Sequence, residues 1–461
     1  MPIHSGRPRY GRLSLVVAAA IVLGGCSASH PGATAPTTAA AAAGTTQATA
    51  ASSPAALPAG ALDCLTGKPV ACYSRGEFLT AYGLTPLLDR GIDGHGETVV
   101  LPEFAPVVAA AASDIRQDLA LFDRVAGLPA ARLEVDTQLA AGASPYQAGK
   151  EEVGDAEMVH EVAPGATIRI ILFADSAQAG AAQETAAYAK ALRLAPSLGQ
   201  VVSISYGLGE SCYTRAEVAA WNGALRADQD QHVTVVASSG DNGAATIPCN
   251  GLTASAPSKG VNLPASSPLV LSVGGTSLRA SHTTGAYQGE TAWNTPAPSD
   301  APIPAGYEPA EATNGGYSTI FPKPGYQAGV TGTGTGRGVP DVAADASPYT
   351  GTANAIYLDG MQVIAPSDGT SAGAPFWAAI VALADQYAGH ALGFINPAIY
   401  RIGRGPKYHL AFHDITTGGN TVKYPAGTIT GYQAAPGWDP VTGWGSPDAQ
   451  VLVPLLVKES A

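Results

Sequence analysis

Five short runs of almost unbroken apolar residues constrain this chain most: Glu97–Leu101, Thr167–Phe173, Gln200–Tyr206, His232–Ser238 and Leu269–Val273. A strand with one wet face alternates apolar and polar residues. A run without that alternation must be covered on both faces, as in a parallel sheet between two layers of helices. Helical spacing fills the intervals over Ala109–Phe122, Glu151–Val162, Ala181–Leu194 and Arg215–Arg226. Strand and helix alternate, so the expected architecture is one α/β domain with helices on both faces of a parallel sheet. The C-terminal third is richer in glycine, proline and aromatic residues and reads as long loops around that core.

The N-terminus bears on the compartment. Arg7, Arg9 and Arg12 precede the apolar run Leu13 to Leu23, which is too short for a permanent membrane span and has the layout of a signal peptide. It ends in Leu23-Gly24-Gly25-Cys26, which resembles the lipobox of bacterial lipoproteins, where the cysteine is diacylated. The alternative is an ordinary secretory signal cleaved nearby. Residues 1–25 are thus expected to be removed, and residues 26–60, almost all Ala, Thr, Ser, Pro and Gly, to form a flexible spacer. Residues 61–461 would be the folded domain, a monomer in the cell envelope, lipid-anchored through Cys26 to the membrane and facing outward, or secreted. The other four cysteines, Cys64, Cys72, Cys212 and Cys249, are an even set in an exported protein and read as disulfides. Proximity favours Cys64–Cys72 with Cys212–Cys249, although three connectivities are open. A net charge of −12 argues against nucleic acid as a partner.

Three stretches carry chemistry. In Pro366–Pro375, PSDGTSAGAP, Ser371 stands where a loop leads into a buried helix, so its hydroxyl would have free backbone N–H groups beside it. A plain N-cap serine would look the same. A nucleophilic serine needs a base. His95 lies in the turn Asp93-Gly94-His95-Gly96 and His160 reads as a packed helix residue, so neither qualifies. Glu151 and Asp155, four residues apart, project instead from one helical face, where a shared proton would let one acid orient the other. The turn Ser239-Gly240-Asp241-Asn242-Gly243 ends a buried strand, where ligand and catalytic groups of open α/β sheets gather.

Together these stretches resemble the sedolisins, serine-carboxyl peptidases of subtilisin-like fold. The likeness covers roughly residues 80–450: Glu151–Asp155 with Ala163–Ala166, Ser239–Gly243, and Gly369–Pro375. Gly315-Gly316-Tyr317-Ser318, Gly338–Val342 and Leu392–Pro397 support it. The resemblance implies an acid-acting endopeptidase with Ser371 as nucleophile, Glu151 as general base, Asp155 orienting Glu151, and Asp241 as a protonated oxyanion donor. A glutamate near its reference pKa of about 4.3 would accept protons around pH 3–5. The segment Ser203-Ile204-Ser205-Tyr206-Gly207 resembles the edge strand that binds the polypeptide substrate. The resemblance also implies one Ca²⁺ in the C-terminal loops, held by the carboxylates of Asp414 and Asp439 and the carbonyls of Ile415, Ala435 and Gly437. Sedolisins carry a large prodomain, but only about twenty residues separate the spacer from Tyr82, so the expected domain lacks one.

Two rivals remain at this level. Gly369-Thr370-Ser371-Ala372-Gly373 also fits the elbow of an α/β-hydrolase-type esterase, with Asp414 and His409 or His413 downstream. A non-catalytic surface lipoprotein could also keep a peptidase fold for binding.

Overall fold

The computed structural model describes residues 73–104, 113–140, 144, 146–173, 180–246, 249, 258–295, 311–330, 334–358, 360–424 and 427–460. The signal segment, the spacer, Cys26, Cys64 and Cys72 lie outside them.

The apolar runs form one eight-stranded sheet. In chain order its strands are β1 (Thr98–Phe104), β2 (Arg132–Leu139), β3 (Thr167–Phe173), β4 (Val201–Ile204), β5 (Thr234–Ser238), β6 (Leu271–Ala280), β7 (Tyr287–Ala292) and β8 (Val342–Asp345). The spatial order is β7-β6-β5-β4-β1-β3-β2, with β8 also on β6. All pairs are parallel except β6 with β7. The main helices are α1 (Ile115–Ala126), α2 (Lys150–Val162), α3 (Ala181–Leu194), α4 (Arg215–Asp230), α5 (Gly369–Ala388) and α6 (Ala449–Ser460).

Side chains that alternate along each strand divide between two cores. Val99, Leu101, Ile168, Ile170, Val201 and Val236 pack with α2, α5 and α6. Val100, Ile171, Val202, Ile204, Val235 and Ala237 pack with α3 and α4. This two-sided burial is why the runs lack alternation. The expected α/β class, parallel sheet and helix layers are therefore present.

The differences have local causes. Strand β2, which sequence reading missed, is an edge strand with alternating exposure and charged residues, so it carries no apolar run. Strand β6 extends seven residues past Val273, from 273 to 280, because β7 and β8 pair with its far end. The expected edge strand at 203–207 is a correction: Val201–Ile204 lies centrally between β1 and β5, buried throughout. Ser203 is 0% exposed and cannot touch a substrate. Helix α5 begins at Gly369, so Pro375 stands inside it rather than before it.

The segment feeding α5 is a hairpin, Ala353–Leu358 with Met361–Pro366, which hangs from acids of the neighbouring helices. Glu157 accepts from the Ala355 N–H at 2.9 Å, Asp118 from the Tyr357 N–H at 2.8 Å, and Glu161 from the Thr352 hydroxyl at 2.8 Å. Ser371 is therefore placed by contacts to the same helix that carries Glu151. The disulfide expected between Cys212 and Cys249 is formed.

Candidate active site

Parallel strands present their carboxyl ends on one side of the sheet, and the candidate groups collect there. Glu103 lies near the end of β1, Ser205 follows β4, and the turn with Asp241 follows β5. Helices α2 and α5 bring Glu151, Asp155 and Ser371 to the same place. A cleft lined by Lys150, Glu151, Asp155, Asn354, Asp368 and Ser371 opens there.

Ser371 is the third residue of α5. Among the described residues its N–H has no hydrogen-bond acceptor, as expected in a first helical turn. Pro375, four residues on, has no N–H to offer the Ser371 carbonyl. That carbonyl accepts from the Ser205 hydroxyl at 3.2 Å, while the Ser371 hydroxyl donates to the Ser205 carbonyl at 3.4 Å. The proline thus frees a carbonyl that ties Ser371 to the end of β4.

The Ser205 hydroxyl shares its one hydrogen between the Ser371 carbonyl and Asp155 Oδ2, the shorter contact at 2.6 Å. Asp155 is 2% exposed, and burial first, then the Glu151 charge, raises its pKa well above the usual carboxylate range. A side-chain hydrogen bond joins Asp155 to the buried Glu103, whose own pKa burial also drives far up. Two carboxyls so joined hold a proton between them. Glu103 was missed by sequence reading. Its signal was a lone acid in a strand otherwise apolar on both faces.

Glu151 reaches the Ser371 hydroxyl, an interaction that favours its charged form. Enclosure by protein atoms outweighs this and, with Asp241, Glu152 and Asp368 nearby, raises its pKa to about 7. By its accessible surface Glu151 is exposed at the cleft mouth, where water screens the rise. The upward direction differs from the reference-like value expected from sequence, because the sequence did not show the packing around this carboxyl or the acids beside it.

Asp241 Oδ1 accepts from the Thr370 N–H at 2.8 Å and the Thr370 hydroxyl at 2.7 Å, and the Gly240 N–H in turn donates to that hydroxyl at 2.9 Å. These bonds fix the carboxyl and leave Oδ2 facing Gly369. A Cβ on Gly369, whose φ is +80°, would stand 2.8 Å from Oδ2, so glycine alone fits there. Burial raises the Asp241 pKa. In its protonated form the carboxyl can donate through Oδ2.

Among the described residues the histidines stand elsewhere. His160 is fully buried, within 3.0 Å of Asp123. The His413 ring stacks on Tyr287 at 3.6 Å between centroids. None lines the Ser371 cleft. Of the expected substrate segment, Ser205 is committed to Asp155 and Ser371, whereas Tyr206 and Gly207 continue past the strand, partly exposed.

The profile of the subtilase family matches residues 133–397. The chain belongs to the subtilase family. Within it the chain is 38% identical to kumamolisin of Bacillus sp. over 314 residues, 67% of this chain and 50% of that protein. It is 28% identical to human tripeptidyl-peptidase 1 over 290 residues, 57% of this chain and 44% of that one. The solved structure of Pseudomonas sedolisin, a serine-carboxyl proteinase complexed with pseudo-iodotyrostatin, superimposes with a TM-score of 0.64 at 28% identity. That match covers 84% of this chain and 98% of sedolisin, and it establishes the subtilisin-like fold. The chain spans about half the length of the full relatives it matches.

In the C-terminal loops of this subtilase the Gly437 N–H donates to both oxygens of Asp414 at 3.1 Å, and the Ala435 N–H to Asp439 Oδ2 at 3.1 Å. The turn 435–439 thereby brings together both carboxylates. The carbonyls of Ile415, Ala435 and Gly437 accept no hydrogen bond among the described residues. Oxygen donors of this kind fit a calcium ion. No cluster of three or more His, Cys, Asp or Glu that could hold a metal ion occurs among the described residues.

Proposed function

We propose that the chain is an acid-acting serine-carboxyl endopeptidase that cleaves polypeptides through an acyl-enzyme on Ser371. One observation carries this reading: Glu151 reaches the Ser371 hydroxyl in a cleft that Asp155, held by Ser205 and Glu103, also lines, while Asp241 is fixed to the adjacent residue, Thr370. As Ser371 Oγ bonds to the substrate carbonyl carbon, its proton passes to Glu151. The oxyanion is met by the Ser371 N–H and the Asp241 proton, donors of a kind worth about 3–4 kcal/mol. Glu151 then gives its proton to the departing amine, and water reverses the sequence to release the acid product.

The active form needs Glu151 charged and Asp241 neutral, so the pair carries one proton. Activity therefore rises with pH as Glu151 ionises and falls as Asp241 loses its proton, the two raised carboxyls titrating as a coupled pair. Loss of the Asp241 proton is what would confine the enzyme to acid.

Asp414, Asp439 and the carbonyls of Ile415, Ala435 and Gly437 are proposed to hold one Ca²⁺, which would cross-link the C-terminal loops. We place the protein, as a monomer, in the cell envelope, anchored through Cys26 or secreted; the support is the Arg-flanked apolar run ending at that cysteine.

The test follows cleavage of an unfolded protein by the full chain with calcium from about pH 3 to about pH 8. Ser371→Ala and Glu151→Gln are each expected to cut kcat by roughly 10⁴-fold or more. Activity that survives Glu151→Gln would sink the reading and favour a histidine-based hydrolase.

A further inference from the structure

We propose that Lys150 is a positioning residue that holds the Asp368 carboxylate away from the Ser371 N–H and so keeps the oxyanion site open. The proposal rests on the peptidase reading above and adds a residue to it.

Asp368 is the N-cap of α5, with extended backbone at φ −148° and ψ 165°. An aspartate there ordinarily accepts from the N–H of the second or third helical residue. In this helix those residues are Thr370 and Ser371. The Thr370 N–H is already held by Asp241 at 2.8 Å. The Ser371 N–H is thus the one remaining donor that an Asp368 cap would take, and it is the donor the oxyanion needs.

Yet Asp368 makes no side-chain capping bond. Its Oδ1 is paired with Lys150 Nζ at 2.8 Å instead. Lys150 is the first residue of α2, next to Glu151, so the ion pair spans the cleft between the helix of the base and the helix of the nucleophile. An exposed ion pair contributes little to stability. Here its effect is steric and directional. Without the ammonium, the carboxylate has a ready acceptor position one turn away, and a capped Ser371 amide cannot receive an oxyanion.

The experiment compares the wild type with Lys150→Met, Lys150→Arg and two double variants, all as full chains with calcium. Lys150→Met is expected to lower kcat by roughly 10- to 100-fold with KM little changed, a partial loss of an oxyanion donor. Lys150→Arg keeps the pair and is expected to retain activity. Adding Asp368→Ala to Lys150→Met removes the cap and is expected to restore kcat. Adding Asp368→Asn is expected to leave it slow, because asparagine caps a helix as well as aspartate does. Recovery with asparagine equal to that with alanine would assign the effect to charge near Glu151 and overturn the proposal, as would undiminished kcat in Lys150→Met. A crystal structure of Lys150→Met reads the same point without turnover. The Asp368 carboxylate should lie within hydrogen-bond distance of the Ser371 N–H, and a carboxylate elsewhere refutes the latch. A wild type that cleaves nothing would count against the peptidase reading, not against that crystallographic result.

Discussion

Glu161 offers a quantitative test of how this fold uses acid. It closes the last turn of α2, is 1% exposed, and accepts from the Thr352 hydroxyl just before the hairpin that feeds α5. Burial is the dominant influence and raises its pKa from 4.5 to about 7, against the opposing pull of Thr352 and Arg75. The sign follows directly. The folded state binds this proton more tightly than the unfolded chain, so the contribution is fully present below about pH 4.5. It is lost as pH rises, and the loss is complete above about 7. That interval, at about 1.4 kcal/mol for each pH unit, amounts to about 3 kcal/mol. Glu161→Gln keeps an acceptor for Thr352 and cannot ionise. Urea unfolding of Ser371→Ala and of Ser371→Ala/Glu161→Gln, which excludes self-digestion, should be compared from about pH 4 to about pH 8. The double variant should lose about 3 kcal/mol less over that range. Parallel stability curves for the two proteins would refute the reasoning, since they would mean that Glu161 is already ionised or freely hydrated in the folded protein.

Asp241→Ala should reduce kcat by about 10²- to 10³-fold with a small change in KM, measured on a peptide substrate near the pH optimum. Pro375→Ala supplies an N–H to the Ser371 carbonyl, which would then release Ser205. The expected result is a kcat lower by roughly tenfold with unchanged or higher thermal stability, and loss of stability with full activity would contradict it. Chelation should lower the melting temperature by a few degrees, since an ion present at about a hundredfold its dissociation constant adds about 3 kcal/mol. Asp414→Asn should abolish that calcium dependence.

The fold class was legible because burial on both faces writes itself into a strand as an unbroken apolar run, as in Thr167–Phe173 and Thr234–Ser238. Edge strand β2 escaped for the converse reason: its exposed alternation is shared with many loops. The Glu-x-x-x-Asp spacing placed both acids of α2 on one face, since that depends only on helical geometry over one turn, whereas Ser371 was singled out by the likeness of its segment to a known family.

What the sequence alone could not decide was how distant carboxyls and donors divide among partners. Strand order made Val201–Ile204 central, which removed Ser203 from any substrate and put Ser205 between Asp155 and Ser371. Packing set Glu103 against Asp155 and raised Glu151 to about 7, through burial first and the neighbouring acids second. The Gly338–Val342 and Leu392–Pro397 stretches turned out to meet in one buried network, where Asp341 pairs with Arg337 at 2.6 Å and accepts from Asn396 at 3.2 Å and Tyr400 at 2.8 Å. Periodicity is a property of neighbours along the chain, so sequence fixes elements and local faces. A pKa or a committed hydrogen bond depends on groups far away along the chain, as in Tyr82 with Asp345 at a separation of 263, and only the folded chain brings them together.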